Sequence, residues 1–223
     1  MPKKIIVAID EIELQKVKYI LNNLDPNKCI IKIGSVAYSA IGNDLLTYSA
    51  NKGFEIFLDL KFHDIPNTVQ KCIEGLVSMP INMLTVHISG GIEMLKGAME
   101  AVKGSNIKVF GVTALTCLSD KDTKQIYKRT VANQVKEMLE IADIADIDGV
   151  VCSPLELKLV AKKKNLLSIT PGIRLKHTSD DQKRVMTPKE AISLGADFIV
   201  IGRPITSSKN IRRSFQEIYE SIQ

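Results

Sequence analysis

The sequence lacks any long apolar segment. None of its apolar runs approaches the roughly 20 residues that a membrane-spanning helix needs. The run nearest the N-terminus, Ile5–Ile9, ends at once in Asp10 and is too short for the core of a signal peptide. We therefore expect a cytoplasmic protein without a membrane partner.

Cysteine is scarce and scattered. The four cysteines, at positions 29, 72, 117 and 152, show no CxxC spacing. Zinc sites and disulfide frameworks usually bring cysteines together at characteristic spacings, so we expect neither. The sequence also contains no obvious metal cluster or cofactor loop, and we expect no metal and no cofactor.

A strong excess of one charge is also missing. The formal net charge is +5, and the lysines are scattered apart from Lys162–Lys164. No aromatic residues interleave with them, so a solvated helix end is favoured over a nucleic-acid interface. A mildly basic surface still favours an anionic small substrate.

What the chain does contain is a regular alternation of short apolar runs and helical segments. Eight β-branched or apolar runs are typical of buried parallel strands: Ile5–Ile9, Cys29–Ile33, Glu55–Leu60, Met83–His87, Lys108–Val112, Gly149–Cys152, Leu166–Thr170 and Phe198–Ile201. Eight β-then-α units in 223 residues predict a single-domain α/β fold, the (β/α)8 TIM barrel. An open doubly wound sheet is the alternative, but the first strand is not followed by its usual GxGxxG turn.

Helix signals occupy the segments between these runs. Apolar residues recur at helical spacing in 14–24, 69–77, 131–142 and 211–222. Ser153–Glu156 and Thr187–Glu190 each have the form of a capping box with proline at the first helical position. Gly195 is expected to end the second of these helices.

Charged side chains collect at the ends of the predicted strands, where a barrel of this kind has its active site. Asp59 and Lys61 are two residues apart, so they are expected to point the same way into the barrel mouth. Asp64 follows, and Lys32 lies within an apolar run. For a lone Asp10 or His87, a strand that ends in solvent is the favoured interpretation. The cluster at 59–64 favours function, because several charges at one strand end need mutual compensation.

The segments after strands seven and eight suggest an anion site and a lid. Gly202 and Arg203 follow the last strand, where barrels often bind phosphate, and the guanidinium of Arg203 could clamp such a group. The long polar stretch 174–186 is typical of a lid that would carry Arg174 and Gln182 over a ligand. An ordinary surface loop is equally compatible with that stretch.

In its motifs the chain resembles the orotidine 5′-phosphate decarboxylase family. The most specific motif is DLKFHDIPNT, which carries the family's Asp-x-Lys-x-x-Asp signature. Supporting pieces follow in the family's order over essentially the whole chain: AID, KIG, VHISGG, VTALT, TPGIR, DDQKRV and IGRPI. The resemblance implies cofactor-independent decarboxylation of orotidine 5′-monophosphate.

The resemblance also implies roles for the charged residues. Lys61 matches the lysine that protonates C6 of the pyrimidine, and Asp59 matches the aspartate beside the substrate carboxylate. Lys32 matches the lysine between Asp59 and the ribose hydroxyls. Asp64 matches an aspartate that a homodimer partner contributes beside Lys61, and Ile65 follows it into that site.

Further positions match substrate-binding residues of the family. They contact the ribose, the pyrimidine or the phosphate, and here they are Asp10, Thr116, Pro171, Gln182, Gly202 and Arg203.

Two alternative functions stay open at this point. Sugar-phosphate lyases resembling hexulose-phosphate synthase and ketogulonate-phosphate decarboxylase share the barrel and the signature, but place magnesium at its carboxylates. A catalytically silent barrel that binds a phosphate ligand is the second alternative, and the intact Lys61 argues against it.

Overall fold

The computed structural model describes residues 3–174 and 186–223. These residues form eight β-strands, which alternate with helices along the chain: β1 (Ile5–Ile9), β2 (Cys29–Gly34), β3 (Glu55–Phe62), β4 (Met83–His87), β5 (Lys108–Val112), β6 (Gly149–Val151), β7 (Leu167–Thr170) and β8 (Phe198–Ile201).

The strands close into a parallel barrel. Each strand pairs with the next in sequence order, and β1 also pairs with β8 through Ile5↔Ile199 to Val7↔Ile201. The predicted (β/α)8 barrel is therefore confirmed. Because all eight strands are parallel, their C-terminal ends meet at one face of the barrel.

Helices surround the barrel. Within the described residues they are α1 (Leu14–Asn22), α2 (Ser35–Ile41), α3 (Asn43–Asn51), α4 (Pro66–Glu74), α5 (Ile92–Val102), α6 (Asp120–Tyr127), α7 (Val131–Ile144), α8 (Leu157–Val160), α9 (Pro188–Ser193), α10 (Arg203–Thr206) and α11 (Ile211–Ser221). Short 3-10 turns occupy Ile88–Gly90 and Pro154–Glu156.

Both predicted capping boxes form. The Ser153 and Thr187 side chains accept from backbone N–H groups, and Glu156 and Glu190 accept from the cap residues' own N–H groups. The first box opens a 3-10 turn that leads into α8, and the second opens α9. Gly195 follows α9 with a φ of +92°, a left-handed conformation that glycine adopts without steric cost.

Some apolar residues assigned to helices from their spacing lie beyond the helix ends. Leu24 lies after α1, Leu76 and Val77 after α4, and Ile222 after α11. Each still packs against the core. Spacing predicts burial, whereas the helix ends where its last backbone groups find other partners.

The apolar residues form two shells. One lies between the strands and the helices and contains residues such as Val7, Leu84 and Ile201. The other fills the barrel itself and consists of Ile6, Ala8, Ile30, Phe57, Met83, Phe110, Ile169 and Val200. Strand residues alternate between the two shells, as the period of two requires.

Three strand boundaries differ by one residue from the prediction, and β3 differs by two. It continues past Leu60 to Phe62. In its pairing with β4, Leu58 lies opposite Leu84 and Phe62 opposite Val86, so β3 carries two extra residues between them. This bulge lies at the barrel mouth and contains Asp59 and Lys61.

No helix in the described part of the chain is long and apolar enough to span a bilayer. All four cysteines have free thiols, two of them buried and two exposed.

Candidate active site

A cavity of about 560 Å³ opens at the C-terminal face of the barrel. That volume is in the range of small-molecule sites, roughly 300–1,000 Å³. Its apolar lining comes from the inward positions of several strands, including Phe57, Ile169 and Val200. Nine predicted site residues also line it: Asp10, Lys32, Asp59, Lys61, Thr116, Pro171, Arg174, Gly202 and Arg203.

Four charges, one directly after β1, one on β2 and two on β3, form a chain of alternating sign along the cavity wall. The Nζ of Lys61 lies 2.8 Å from Oδ1 of Asp59, and the Nζ of Lys32 lies 3.2 Å from its Oδ2. Lys32 also lies 3.8 Å from Oδ1 of Asp10. Each charge therefore has an opposite charge as its neighbour, which lowers the cost of burying the cluster.

Asp59 is the most buried member, with 10% of its side chain exposed. Burial raises the pKa of its carboxyl, but the ammonium groups of Lys32 and Lys61 outweigh that effect and hold the pKa below its ordinary value. Asp59 is therefore ionised at neutral pH, and each of its oxygens faces one lysine.

Lys61 adopts a backbone conformation that non-glycine residues rarely take. Its φ is +54°. A left-handed conformation costs a residue with a Cβ roughly 1 to 2 kcal/mol. The bulge in β3 imposes it, and strain of this kind concentrates at functional sites. The Lys61 side chain remains one-third exposed and faces the cavity.

Gly34 leaves room for the Lys32 ammonium. It follows Lys32 by two residues on β2 and faces the same side of the sheet. A Cβ at this position would lie 3.1 Å from the Nζ of Lys32 and 3.7 Å from Oδ1 of Asp10. The glycine of the KIG motif is therefore part of the charge geometry, although the sequence alone did not reveal why.

Asp64 and Ile65 lie apart from the residues that line this cavity in the described structure. Both are exposed, Ile65 by 66%, on the turn between β3 and α4. The Oδ1 of Asp64 accepts a hydrogen bond from the backbone N–H of Ile65. This position leaves both side chains available to a neighbouring molecule.

The loop after β7 is only partly described. Pro171, Gly172 and Arg174 line the cavity, and Arg174 donates from Nη1 to the carbonyl of Ile173 at 3.0 Å. Gln182 and the rest of the predicted lid, 175–185, lie outside the described residues.

Sequence reasoning missed Thr85, which is fully buried on β4. Its hydroxyl donates to Oδ1 of Asp59 and accepts from the backbone N–H of Lys61. The available signal was a polar residue at an inward position of the otherwise apolar strand MLTVH, two residues before His87.

His87 completes the inward row of β4 and lies beside His63, with ring centroids 5.2 Å apart. Burial lowers the pKa of His87, and the nearby His63 and Lys61 lower it further. Its imidazole is therefore neutral at pH 7 and adds no charge to the cluster.

The described residues contain no group of three or more His, Cys, Asp or Glu side chains placed to hold a metal ion. Asp59, the most buried carboxylate of the cavity, is already contacted by two ammonium groups. Those groups would repel a divalent cation at the same carboxylate.

The chain is similar to known proteins over nearly its full length. A protein from Wolbachia pipientis subsp. Culex pipiens, named orotidine 5′-phosphate decarboxylase, is 42% identical over 221 residues, which cover 98% of each chain. A protein of the same name from Coxiella burnetii is 40% identical over 228 residues, covering 99% of this chain and 97% of its own.

A solved structure extends the comparison to the fold. The crystal structure of orotidine 5′-phosphate decarboxylase from Lactobacillus acidophilus matches with a TM-score of 0.87 and 33% identity, covering all of both chains. The family model described as "Orotidine 5'-phosphate decarboxylase / HUMPS family" matches residues 3–218. The chain belongs to the orotidine 5′-phosphate decarboxylase / HUMPS family.

Proposed function

We propose that this chain decarboxylates orotidine 5′-monophosphate to uridine 5′-monophosphate, the last step of de novo UMP biosynthesis. The observation that carries the proposal is the charge row Asp10–Lys32–Asp59–Lys61 in the cavity wall, with Lys61 2.8 Å from Asp59. The names of relatives about 40% identical over nearly the full length support it.

The reaction leaves an electron pair on C6 of the pyrimidine, a ring carbon without an adjacent carbonyl to accept it. An ammonium group aimed at that carbon stabilises the developing negative charge and then supplies a proton. Lys61 has the required charge and faces the cavity. The Asp59 carboxylate orients this ammonium through their direct hydrogen bond, so we propose Lys61 as the proton donor.

Lys32 and Asp10 extend the row on the other side of Asp59. Lys32 neutralises part of the carboxylate field, with 13% of its side chain exposed. Its ammonium and the exposed Asp10 carboxylate can together donate to and accept from a pair of ribose hydroxyls. This supports a sugar-binding role for both residues.

The remaining substrate contacts are assigned by position. Thr116 and Pro171 line the cavity on the loops after β5 and β7, where they would contact the pyrimidine. Gly202 and Arg203 line it after β8, where the guanidinium would bind the phosphate. Arg174 also lines the cavity, and we propose that Gln182 has its predicted role at the base and phosphate.

A second copy of the chain completes the site in this proposal. Asp64 and Ile65 are exposed and do not line the cavity of their own chain. This is expected of residues that contribute to the active site of a second copy. We propose a homodimer in which Asp64 of each copy lies beside Lys61 of the other. Residues 1–223 would act as one domain in the cytoplasm.

The magnesium-dependent sugar-phosphate lyases belong to the same broad family, so a test must separate the two chemistries. Loss of orotidine 5′-monophosphate absorbance is followed for the purified protein with and without EDTA. We expect turnover in both samples, and loss of turnover in Lys61→Ala. A protein that turns over only a sugar phosphate, and only before EDTA is added, would refute the proposal.

A further inference from the structure

Thr85 lies inside the barrel at the level of the charge row. It occupies an inward position of β4, between Met83 of the barrel core and His87 at the mouth. None of its surface is exposed. A buried hydroxyl in an apolar strand is costly unless its hydrogen-bonding capacity is used.

The Thr85 hydroxyl acts both as a donor and as an acceptor, and both of its partners belong to the active site. The Oγ1 of Thr85 accepts from the backbone N–H of Lys61 at 2.9 Å and donates to Oδ1 of Asp59 at 3.0 Å. The same Oδ1 accepts from the Nζ of Lys61 at 2.8 Å. One hydroxyl, one carboxylate oxygen and the two nitrogens of Lys61 therefore form a closed ring of contacts.

The bulge in β3 explains why a side chain is needed here. In a regular parallel pair, backbone N–H groups bond to carbonyls of the next strand. Between Leu58 and Phe62 the pairing with β4 is interrupted, and Lys61 has a φ of +54°. The Thr85 hydroxyl supplies the partner that the interrupted ladder does not, because a buried N–H without one is strongly disfavoured.

We propose that Thr85 is a positioning residue for the reaction at Lys61. Its hydroxyl holds the Lys61 backbone in the left-handed conformation and turns Oδ1 of Asp59 toward the Lys61 ammonium. This inference rests on the proposed decarboxylation, and it adds a residue that never contacts the substrate. Its action passes through Asp59 and Lys61 alone.

Thr85→Val tests the proposal, because valine keeps the shape of threonine and removes only the hydroxyl. We expect kcat to fall by roughly 10- to 100-fold, since small misplacements of reacting groups have effects of that size. KM should change by less than about threefold, because substrate binding does not use the hydroxyl. Thr85→Ser, which retains the hydroxyl, should recover most of the lost rate.

The pH dependence of kcat provides a readout that a purely structural role would not move. Removing a donor to the ionised Asp59 disfavours the charged carboxylate and raises its pKa. The acid limb of the kcat profile should therefore move to higher pH in Thr85→Val and stay in place in Thr85→Ser.

Thr170→Val is the matched control. Like Thr85, Thr170 is a fully buried threonine on a barrel strand, and its hydroxyl forms no hydrogen bond to nitrogen or oxygen among the described residues. We expect wild-type kcat and pH profile from this variant. Equal losses in Thr85→Val and Thr170→Val would overturn the proposal, because they would indicate a general packing effect.

The activity of the wild type distinguishes failure of the proposed function from failure of the proposed role of Thr85. An inactive wild type would refute the proposed function. An active wild type whose kcat and acid limb are both unchanged in Thr85→Val would refute the role of Thr85 alone. If Thr85→Val does not fold, Thr85→Cys replaces it, because it puts a thiol, a weaker donor, in place of the hydroxyl. Full activity of Thr85→Cys would equally count against the role.

Discussion

The ammonium of Lys61 and the carboxylate of Asp59 lie 2.8 Å apart although their residues are only two positions apart on one strand. Regular strand geometry already points two such side chains to the same face of the sheet. The bulge at the end of β3 and the left-handed backbone of Lys61 accompany this contact. The charge pair therefore lies within a local distortion of the strand.

Changing Asp59 to Asn tests what its charge contributes to catalysis. We expect kcat to fall by at least about 100-fold, because Lys61 loses the charge that orients its ammonium. If the carboxylate also repels that of the substrate, KM will fall at the same time. Steady-state kinetics separate the two effects. Unchanged substrate binding would exclude a repulsive contribution, and unchanged kcat would exclude the orienting role.

Gly34→Ala tests whether the position of the Lys32 ammonium matters. The added Cβ would lie 3.1 Å from Nζ, so the ammonium must shift away from Asp59 or Asp10. We expect a roughly 10-fold or greater loss of kcat/KM with little change in folding. Gly75→Ala is the control, since a Cβ there meets only ordinary contacts at 3.5 Å and the residue has a right-handed helical backbone. Equal activity of the two variants would contradict the assignment.

Arg203→Ala tests the phosphate site. The substrate phosphate is remote from the reacting carbon. Loss of the Arg203 guanidinium that binds it should therefore raise KM more than it lowers kcat. We further expect phosphite added in trans to accelerate turnover of the substrate analogue that lacks the phosphate. If phosphite does not activate the wild type, the proposal that phosphate binding energy contributes to catalysis is refuted.

Mixing two inactive variants tests whether Asp64 acts across a dimer. Lys61→Ala and Asp64→Asn should each be nearly inactive alone. In a mixed dimer, the site with an intact Lys61 receives the intact Asp64 of the other copy, so re-associated equal mixtures should regain about a quarter of the wild-type activity. An equal mixture of Lys61→Ala with Asp59→Asn is the control. Each of these changes disables the site of the chain that carries it, so every site of the mixed dimer is defective and no activity should return. An absence of recovery in the first mixture, with mixed dimers demonstrated, would place Asp64 outside the neighbouring site.

The low pKa of Asp59 predicts a contribution to acid stability. In the folded protein the pKa of Asp59 lies below its ordinary value of 3.8. The ionised carboxylate therefore stabilises the fold at pH values above 3.8. This stabilisation is lost as the pH falls below 3.8 and passes through the pKa of the folded state. The decrease in unfolding free energy between about pH 7 and about pH 3, measured by denaturant titration, should therefore be smaller in Asp59→Asn. Glu93→Gln, on a carboxylate with 80% of its side chain exposed, should retain the wild-type decrease.

Much of the barrel could be predicted from the sequence. Runs such as Ile5–Ile9 and Met83–His87 became strands with the predicted bounds, because a strand buried on both faces must be apolar along its whole length. The capping boxes at Ser153 and Thr187 formed because their residues bond within one turn. Strand-end placement likewise predicted Lys32, Asp59 and Lys61 around one cavity, and the family resemblance added Asp10. The structure brings these four together.

What the sequence determined by itself was thus local: the strands, the caps, and which side chains reach the C-terminal face. Only the tertiary structure decided how the charges pair, because the ion pairs of Lys32 with Asp10 and Asp59 join strands separated along the chain. The tertiary structure also decided the bulge in β3 that contains Lys61, and the hydrogen bond from the Lys61 backbone N–H to Thr85. Such contacts depend on the register between neighbouring strands, which closure of the barrel sets and no single segment encodes.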